Sequence, residues 1–209
     1  EYLLSLINDV LDMSKIEAGK ITLDEQNFDL HRLLDEVHDL FYLKAKEKKL
    51  QLLIERDDSV PRYIRTDGTK LRQVLLNLIS NALKFTQKGG VSVYVNNIQP
   101  KEQTDVNAEE TELHFQVADT GAGVAEEEID KMFEAFGQTA TGKASQQGTG
   151  LGLPISRKFV QLMGGDISVQ SQVGQGTVFE LTIQASIVNA ADIVEEPSLR
   201  HQVIALEPN

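Results

Sequence analysis

Apolar residues recur every three or four positions in several stretches of the chain, as they do on the buried face of a helix. The predicted helices cover residues 2–17, about 30–47, 68–86 and 150–163, with a short helix over 126–133. Ala18 and Gly19 end the first, and Asp67 and Gly68 precede the third. The inward face of the second helix is predicted to consist of Leu33, Leu34, Val37, Leu40 and Phe41. That of the third consists of Leu71, Val74, Leu75, Leu78, Ile79 and Leu83.

Shorter stretches rich in apolar residues, several of them alternating with polar ones, predict half-buried strands. They lie at residues 50–54, 63–65, 91–95, 113–117, 166–171 and 177–184. The last two form a hairpin around Gly174-Gln175-Gly176. We expect the acidic stretch 99–112 to be a hairpin tip, and the small and polar residues of 137–149 to form a lid.

Composition and charge exclude some classes of function. The chain has 209 residues, a net charge of −12 and no cysteine. An acidic protein lacks the basic footprint of non-specific nucleic-acid binding. Without cysteine there are no disulfides or thiolate metal sites, which fits a reducing, cytoplasmic location. No apolar run approaches the ~20 residues of a membrane-spanning helix, so we expect no direct membrane contact by this segment.

The third helix carries a polar cluster of Asn77, Asn81 and Lys84 on one face. Two amides and an ammonium group on the buried side of a helix need polar partners, and Mg²⁺ with phosphates would supply them because Mg²⁺ takes few protein oxygens. We assign all three residues catalytic and nucleotide-binding roles, with the Asn81 amide oxygen as the metal ligand and Lys84 as a point charge. The alternative is an asparagine pair that only caps turns.

Asp119 follows an apolar strand and precedes Gly121 and Gly123. Its carboxylate can accept a hydrogen bond from the exocyclic amine of adenine, whereas guanine presents a carbonyl there. The glycines let the backbone turn sharply beside a base. Asp-Thr-Gly also occurs in aspartic proteases, but those need a second copy and this chain has one.

A glycine-rich segment opens the predicted helix at 150–163. It consists of Gly148, Thr149, Gly150, Leu151 and Gly152. Its glycines would let the backbone approach phosphates, whose charge is favoured at a helix N-terminus. Lys143, the cation of the predicted lid, would reach a phosphate when the lid closes; the alternative for a single loop lysine is simple solvation.

Together these motifs resemble the catalytic ATP-binding domain of sensor histidine kinases, which shares its fold with the gyrase B, Hsp90 and MutL ATPases. Residues 71–86 resemble the N box, 119–123 the first glycine box, 132–136 the F box and 148–153 the second glycine box. The resemblance implies an α/β two-layer sandwich with a mixed, mainly antiparallel sheet packed on three helices. It also implies that Phe85 flanks the nucleotide.

The resemblance also implies a domain organisation. Residues 1–20 resemble the end of the second dimerisation helix, and 28–185 are the catalytic domain. Residues 186–199 are then a linker, and 200–209 resemble the first strand of a receiver domain.

A histidine kinase transfers the γ-phosphate of ATP to a histidine, and the resemblance places that histidine on a helix upstream of residue 1. None of His31, His38, His114 and His201 occupies that position, so we expect this chain alone not to autophosphorylate. The implied partners are the upstream phosphoacceptor hairpin, a response-regulator receiver and a second copy in the full-length protein.

Two other functions compete with kinase activity. The alternative is a non-catalytic ATP-sensing module with a degenerate lid, since the lid has few basic residues. A hydrolysing ATPase is disfavoured, because the hydrolysing relatives have a glutamate where this chain has Asn77, and an amide is no general base.

Overall fold

The computed structural model describes residues 2–98, 110–137 and 149–193, and only the backbone of residues 2–5. The helices are α1 (Tyr2–Glu17), α2 (Leu30–Glu47), α3 (Gly68–Phe85), α4 (Glu126–Ile129) and α5 (Gly152–Leu162). A 3₁₀ turn over Asp130–Phe133 continues α4, and another covers Ala190–Asp192. Each predicted helix is therefore present, with ends close to the predicted ones.

The strands are β1 (Gln26–Asp29), β2 (Gln51–Arg56), β3 (Tyr63–Thr66), β4 (Gly90–Ile98), β5 (Glu110–Asp119), β6 (Ile167–Gln172) and β7 (Gly176–Ile187). β1 was not predicted. Residues 110–112, which we expected in the hairpin tip, belong to β5 instead. The rest of that tip, most of the predicted lid with Lys143 and Gly148, and the chain from residue 194 onward lie outside the described residues.

The strands form one mixed sheet in the order β1-β3-β7-β5-β4-β2, and β6 also pairs with β7. β2 and β4 are parallel, and the other pairs are antiparallel. The long strands β5 and β7 pair along the whole length of β5, with Phe115 opposite Leu181 and Val117 opposite Phe179. This is the mixed, mainly antiparallel sheet that was predicted.

Three helices, α2, α3 and α5, cover one face of the sheet, and the core lies between the two layers. Alternate residues of β4, β5 and β7 are buried there, as expected when one face of a sheet meets helices. The buried strand residues are Val91, Val93, Val95, Leu113, Phe115, Val117, Phe179, Leu181 and Ile183. The predicted α/β two-layer sandwich is confirmed, whereas the domain boundaries stay a prediction.

One predicted core residue is wrong. Leu40 lies on α2 but is 62% exposed, whereas the neighbouring Val37 and Phe41 are buried. At 3.6 residues per turn, Leu40 lies at the edge of the buried stripe that runs through Leu34, Phe41 and Ala45. The helix therefore turns this leucine toward solvent although its spacing fits an apolar face.

α1 packs onto the sandwich along one side only. Met13 and Ile16 contact the core, while Ile7, Val10 and Leu11 are exposed. Asp12 accepts a hydrogen bond from Gln73 of α3 at 3.4 Å. Among the described residues no helix combines the length and the apolar character needed to cross a membrane.

The start of α3 is held by Asp67, whose side chain is 1% exposed. One carboxylate oxygen accepts from the backbone N–H of Lys70 at 2.9 Å, and the other from the N–H of Asp24 at 2.9 Å. The Lys70 ammonium lies 2.6 Å from the second oxygen. Burial alone would raise the pKa of Asp67, but the hydrogen bonds from Lys70 and Asp24 hold that pKa below its ordinary value.

We predict that Asp67→Ala lowers the free energy of unfolding by about 2 kcal/mol at neutral pH, because it removes a helix cap and leaves a half-buried ammonium without its partner. A carboxyl group with a lowered folded-state pKa stabilises the fold above its unfolded pKa and loses that effect as the pH falls through the folded value. The difference between wild type and variant should therefore shrink below about pH 4. Urea denaturation at several pH values measures it. Asp39→Ala, at a side chain that is 85% exposed, is the control, and equal loss in both variants would contradict the prediction.

Candidate functional site

The polar face of α3 lies opposite its buried face. The buried face consists of Leu71, Val74, Leu75, Leu78, Ile79, Ala82 and Leu83. Asn77, Asn81 and Lys84 follow one another along the other side, one helical turn apart, and all three are half-buried. Because the apolar face can only pack against the sheet and the neighbouring helices, the orientation of this polar stripe is determined as well.

The two asparagines are linked to each other and to α5. Asn77 Nδ2 donates to Ser156 Oγ at 2.9 Å, and Asn81 Nδ2 donates to Asn77 Oδ1 at 3.2 Å. Gly152, one turn before Ser156, makes room for this contact, since a Cβ there would lie 2.4 Å from Asn77 Oδ1. Part of the polar requirement predicted for the cluster is thus met inside the protein.

The oxygen left open is that of Asn81. Within the part of the chain that the structure describes, Asn81 Oδ1 accepts no hydrogen bond, and no buried side-chain polar atom lacks a partner, so this oxygen is accessible to a ligand. The described residues contain no group of three or more His, Cys, Asp or Glu side chains that could hold a metal. A protein that offers one neutral oxygen suits Mg²⁺ that takes its other ligands from phosphates and water.

Lys84 and Phe85 lie at the end of α3. The Lys84 ammonium lies 4.8 Å from the centroid of the Phe85 ring. Burial lowers the pKa of Lys84, and no carboxylate in the described ranges forms an ion pair with it. A half-buried cation without a counter-ion is stabilised when an anion such as a phosphate binds beside it.

Asp119, the last residue of β5, lies where α3 ends. Its Oδ1 accepts from the backbone N–H of Gly121 at 2.7 Å. A Cβ at Gly121 would lie 2.7 Å from both that oxygen and the Phe85 carbonyl oxygen, and a Cβ at Gly123 would lie 2.0 Å from the Gln172 carbonyl. Gly123 also has a φ of +66°. Only glycine fits these two positions without a shift of the backbone.

Burial raises the pKa of Asp119, although hydrogen bonds from the backbone of Gly121 and Thr177 oppose the rise. The buried carboxylate therefore destabilises the folded state when it ionises, since its folded pKa lies above its unfolded one. A hydrogen-bond donor in a ligand would offset that cost. This favours a role in binding over a purely structural one.

The glycine-rich segment is anchored at several points. Phe136 has a φ of +63° and donates its backbone N–H to the Gly150 carbonyl at 3.0 Å. Gly150 has a φ of +71°, and a Cβ there would lie 2.9 Å from the Phe136 backbone. This hydrogen bond joins the two ends of the predicted lid.

The side chains of Thr149 and Leu151 both make contacts within the protein. Thr149 Oγ1 donates to Asp9 of α1 at 3.2 Å and accepts from the Leu151 N–H at 3.1 Å. The Leu151 side chain is fully buried in the core, so any contact that it makes with a nucleotide comes from its backbone. Burial raises the pKa of Asp9, the Thr149 hydrogen bond opposes the rise, and Asp12 adds to it.

The described site residues therefore lie along one line. α5 meets α3 at Asn77, and the Asp119 turn meets α3 at Phe85, which lies about 12 Å further along the helix axis. Asn81 and Lys84 lie between these two contacts. Lys143 and Gly148 cannot be placed, since both lie outside the described residues. The metal and nucleotide roles of all these residues stay predictions.

Sequence reasoning missed Ser156, Thr86 and Asp9. Thr86 is buried and its hydroxyl donates to the Ala82 carbonyl at 2.7 Å, which ends α3 beside Asp119. The signal for Ser156 was present, because it lies four residues after Gly152 on the same helical face. Nothing in the sequence around Asp9 pointed to Thr149.

Comparisons with known proteins follow the same lines. A family profile described as "Histidine kinase-, DNA gyrase B-, and HSP90-like ATPase" matches residues 66–187. The chain is 41% identical over 186 residues to the aerobic respiration control sensor protein ArcB of Escherichia coli (strain K12), a match that covers 88% of this chain and 23% of ArcB. It is 37% identical over 212 residues to the signal transduction histidine-protein kinase BarA of the same strain, covering 99% of this chain and 22% of BarA. The chain thus spans less than a quarter of either relative.

Solved structures agree on the fold. Full-length ShkA in complex with AMPPNP has a TM-score of 0.73 and 34% identity, over 90% of this chain and 37% of that chain. The nucleotide-free catalytic domain of the histidine kinase ThkA has a TM-score of 0.60 and 28% identity, over 77% of this chain and 95% of that domain. The chain therefore has the fold of a histidine kinase catalytic domain.

The contact between Gly152 and Asn77 can be tested directly. Alanine favours a helix over glycine by about 1 kcal/mol, yet we predict that Gly152→Ala lowers the free energy of unfolding by about 1–2 kcal/mol because its Cβ displaces the Asn77 side chain. Gly68→Ala is the matched control, since Gly68 begins α3 and the three atoms nearest to its Cβ would belong to the Phe28 ring, at 3.1–3.3 Å. Urea denaturation compares the two, and a Gly152→Ala protein as stable as wild type would contradict the predicted clash.

Proposed function

The chain belongs to the histidine kinase-, DNA gyrase B- and HSP90-like ATPase family, and we propose that it binds ATP with Mg²⁺ and transfers the γ-phosphate to a histidine on an upstream helical hairpin. Residues 66–187 contain an ATP-binding catalytic domain of the histidine kinase type. The observation that carries the proposal is the line of polar groups along α3, which ends at a buried carboxylate in a glycine turn.

We assign the transfer reaction to a longer protein that includes this chain. The chain spans less than a quarter of the length of its relatives ArcB and BarA. The proposed protein partners are the upstream phosphoacceptor hairpin and a response-regulator receiver domain. The full-length protein is proposed to form a homodimer. The relatives support this choice, since one is named a sensor protein and the other a histidine-protein kinase. We place the reaction in the cytoplasm.

The base is bound at the Asp119 end of the site. The free lone pairs of the carboxylate accept from the exocyclic amine of adenine, while Gly121 and Gly123 keep the space beside it free of side chains. Phe85 lies against this turn through its carbonyl and offers its ring to the nucleotide. An ionised Asp119 only accepts hydrogen bonds, so it favours adenine over guanine.

The phosphates are bound toward the Asn81 end. Asn81 Oδ1 is the protein ligand of the metal, and Lys84 supplies a positive charge from one turn further along α3. A bound Mg²⁺ offsets the negative charge of the phosphates during transfer. The chain itself holds the phosphates in place, with the backbone of residues 149–152 at the start of α5 on their other side.

ATP hydrolysis by this chain should be slow. Asn77, at the position of the catalytic glutamate of hydrolysing relatives, has an amide that cannot take a proton from water. Its Nδ2 and Oδ1 are both engaged in hydrogen bonds. The γ-phosphate is thereby preserved for the histidine.

We predict that an ATP analogue that cannot be hydrolysed binds in a Mg²⁺-dependent manner, and that Asn81→Ala abolishes the magnesium dependence because it removes the ligand oxygen. Isothermal titration calorimetry with Mg²⁺ and with EDTA measures both affinities. Asn8→Ala, at an exposed asparagine of α1, is the control. Magnesium-dependent binding that persists in Asn81→Ala would disprove the metal assignment.

A phosphate-transfer assay distinguishes a kinase from an ATP-sensing module. A helical hairpin carrying a phosphoacceptor histidine is added to wild type with labelled ATP, and acid-labile phosphate on the hairpin is measured. The kinase proposal expects transfer by wild type and none by Asn81→Asp. Binding of ATP without transfer to the hairpin, even in a chain that includes the upstream segment, would favour the sensing module.

Base recognition is tested by Asp119→Asn. We predict that the preference for the adenine over the guanine nucleotide falls by about ten-fold or more, because an amide can donate to guanine's carbonyl. In wild type the preference should decline as the pH falls through the raised pKa of Asp119, since a protonated carboxyl group gains an O–H that can donate to guanine's carbonyl, as the amide of the variant does. Competition binding from pH 4 to 8 measures both effects, with exposed Asp130→Asn as control. An unchanged preference would disprove the assignment.

A further inference from the structure

Ser156 lies in the second turn of α5 and takes no part in the site as proposed above. Its side chain is polar, yet the residue is only 2% exposed. Its Oγ accepts a hydrogen bond from Asn77 Nδ2, 79 positions away in sequence, at 2.9 Å. We propose that Ser156 is a positioning residue for the magnesium–nucleotide site, acting through Asn77 on Asn81; this rests on the proposed function.

The hydrogen bonds run in one direction, from Asn81 to Asn77 and from Asn77 to Ser156. Asn77 Nδ2 donates to Ser156, so Asn77 Oδ1 points toward Asn81 and accepts from its Nδ2 at 3.2 Å. A carboxamide has one donor end and one acceptor end of nearly the same shape. In this structure the serine oxygen is the acceptor, so the oxygen of Asn77 faces Asn81 and the oxygen of Asn81 faces outward.

This orientation of the two carboxamides presents the oxygen of Asn81 to a ligand. If the Asn77 carboxamide rotated by half a turn, its NH₂ group would face the NH₂ of Asn81, and Asn81 would gain by rotating as well. Asn81 would then direct N–H groups at the cation, which repel it. Groups that orient a metal ligand in this way commonly affect metal affinity by about 10–100-fold.

The packing of α5 on α3 supports a dedicated contact. Gly152 and Ser156 are one turn apart on α5 and both face Asn77. The glycine provides the space, since a Cβ would lie 2.4 Å from Asn77 Oδ1, and the serine provides the acceptor. Loss of the hydroxyl removes the hydrogen bond that Asn77 Nδ2 makes with α5, so the orientation of the Asn77 carboxamide is no longer held from that side.

Asn77 itself is less suited to bind the metal. Its Oδ1 already accepts from Asn81, and it lies so close to Gly152 that a Cβ there would come within 2.4 Å. The oxygen of Asn81 is accessible. The geometry thus separates one residue that binds from two that orient it.

The test measures Mg²⁺ dependence rather than activity. Calorimetry gives the Kd of the non-hydrolysable ATP analogue in EDTA and at a series of MgCl₂ concentrations, for wild type, Ser156→Ala, Asn77→Ala and the double variant. Ser156→Ala should weaken the magnesium-dependent part by about ten-fold and change the Kd in EDTA by less than about two-fold. Ser156→Ala should add nothing in the Asn77→Ala background, because the two residues act in series.

A second readout follows the orientation itself. The side-chain amide NMR signals of Asn81 should shift in Ser156→Ala, although no hydrogen bond joins the two residues. Ser168→Ala, at an exposed serine of β6, is the control and should leave signals and affinities unchanged. If Ser156→Ala loses its cooperative melting transition, Ser156→Cys replaces it, since a thiol has similar size and is a weaker acceptor.

Three results would overturn the inference: wild-type magnesium dependence in Ser156→Ala, equal losses with and without magnesium, or additive losses in the double variant. Asn81→Ala, measured alongside, distinguishes the two levels of the proposal. If Asn81→Ala loses magnesium dependence and Ser156→Ala keeps it, the site stands and the positioning role falls. If nucleotide binding by wild type itself shows no magnesium dependence, the proposed function is wrong, and the positioning role is wrong as well.

Discussion

The packing of α3 is the constraint on which the rest of the structure depends. Seven of its residues are buried against the sheet, α2 and α5, and this apolar area cannot be moved without opening the core. The polar stripe on the opposite side therefore has one possible orientation. The turn after β5 meets one end of this stripe, and the start of α5 meets the other. A single well-packed helix thus sets the relative position of every described group of the site.

Close approach of backbones holds the surrounding loops on α3. A Cβ at Gly121 or Gly152 would come within 2.4–2.7 Å of an atom of α3, so a larger residue would push these segments off the helix, and a Cβ at Gly123 would come within 2.0 Å of the Gln172 carbonyl oxygen at the end of β6. The same closeness buries polar groups, which raises the pKa of Asp119 and lowers that of Lys84. These groups destabilise the free protein locally, and the large core offsets that cost. Such a site gains stability when a ligand of complementary charge binds.

Much of the fold could be predicted because it follows local rules. Periodic apolar residues predicted α2 and α3, and the spacing of Asn77, Asn81 and Lys84 predicted that they share one face of α3. The failures have a common cause. β1 is a strand only because Phe28 pairs opposite Ile64 of β3, since its own residues lack a strand pattern. Leu40 is exposed because neighbouring elements, and not its spacing, decide how far the buried stripe extends.

The sequence by itself determined the elements, the family resemblance and the inventory of chemical groups, because periodicity, capping and turn chemistry act between residues close in the chain. Tertiary structure alone decided which of these groups meet. Ser156 reaches Asn77 across 79 positions, and Thr149 reaches Asp9 across 140. No local pattern encodes such pairs, since they arise only when α5 packs on α3 and α1 packs on α5. A hydrogen bond depends on tenths of an ångström and on direction, and those are set by the packing of the whole core.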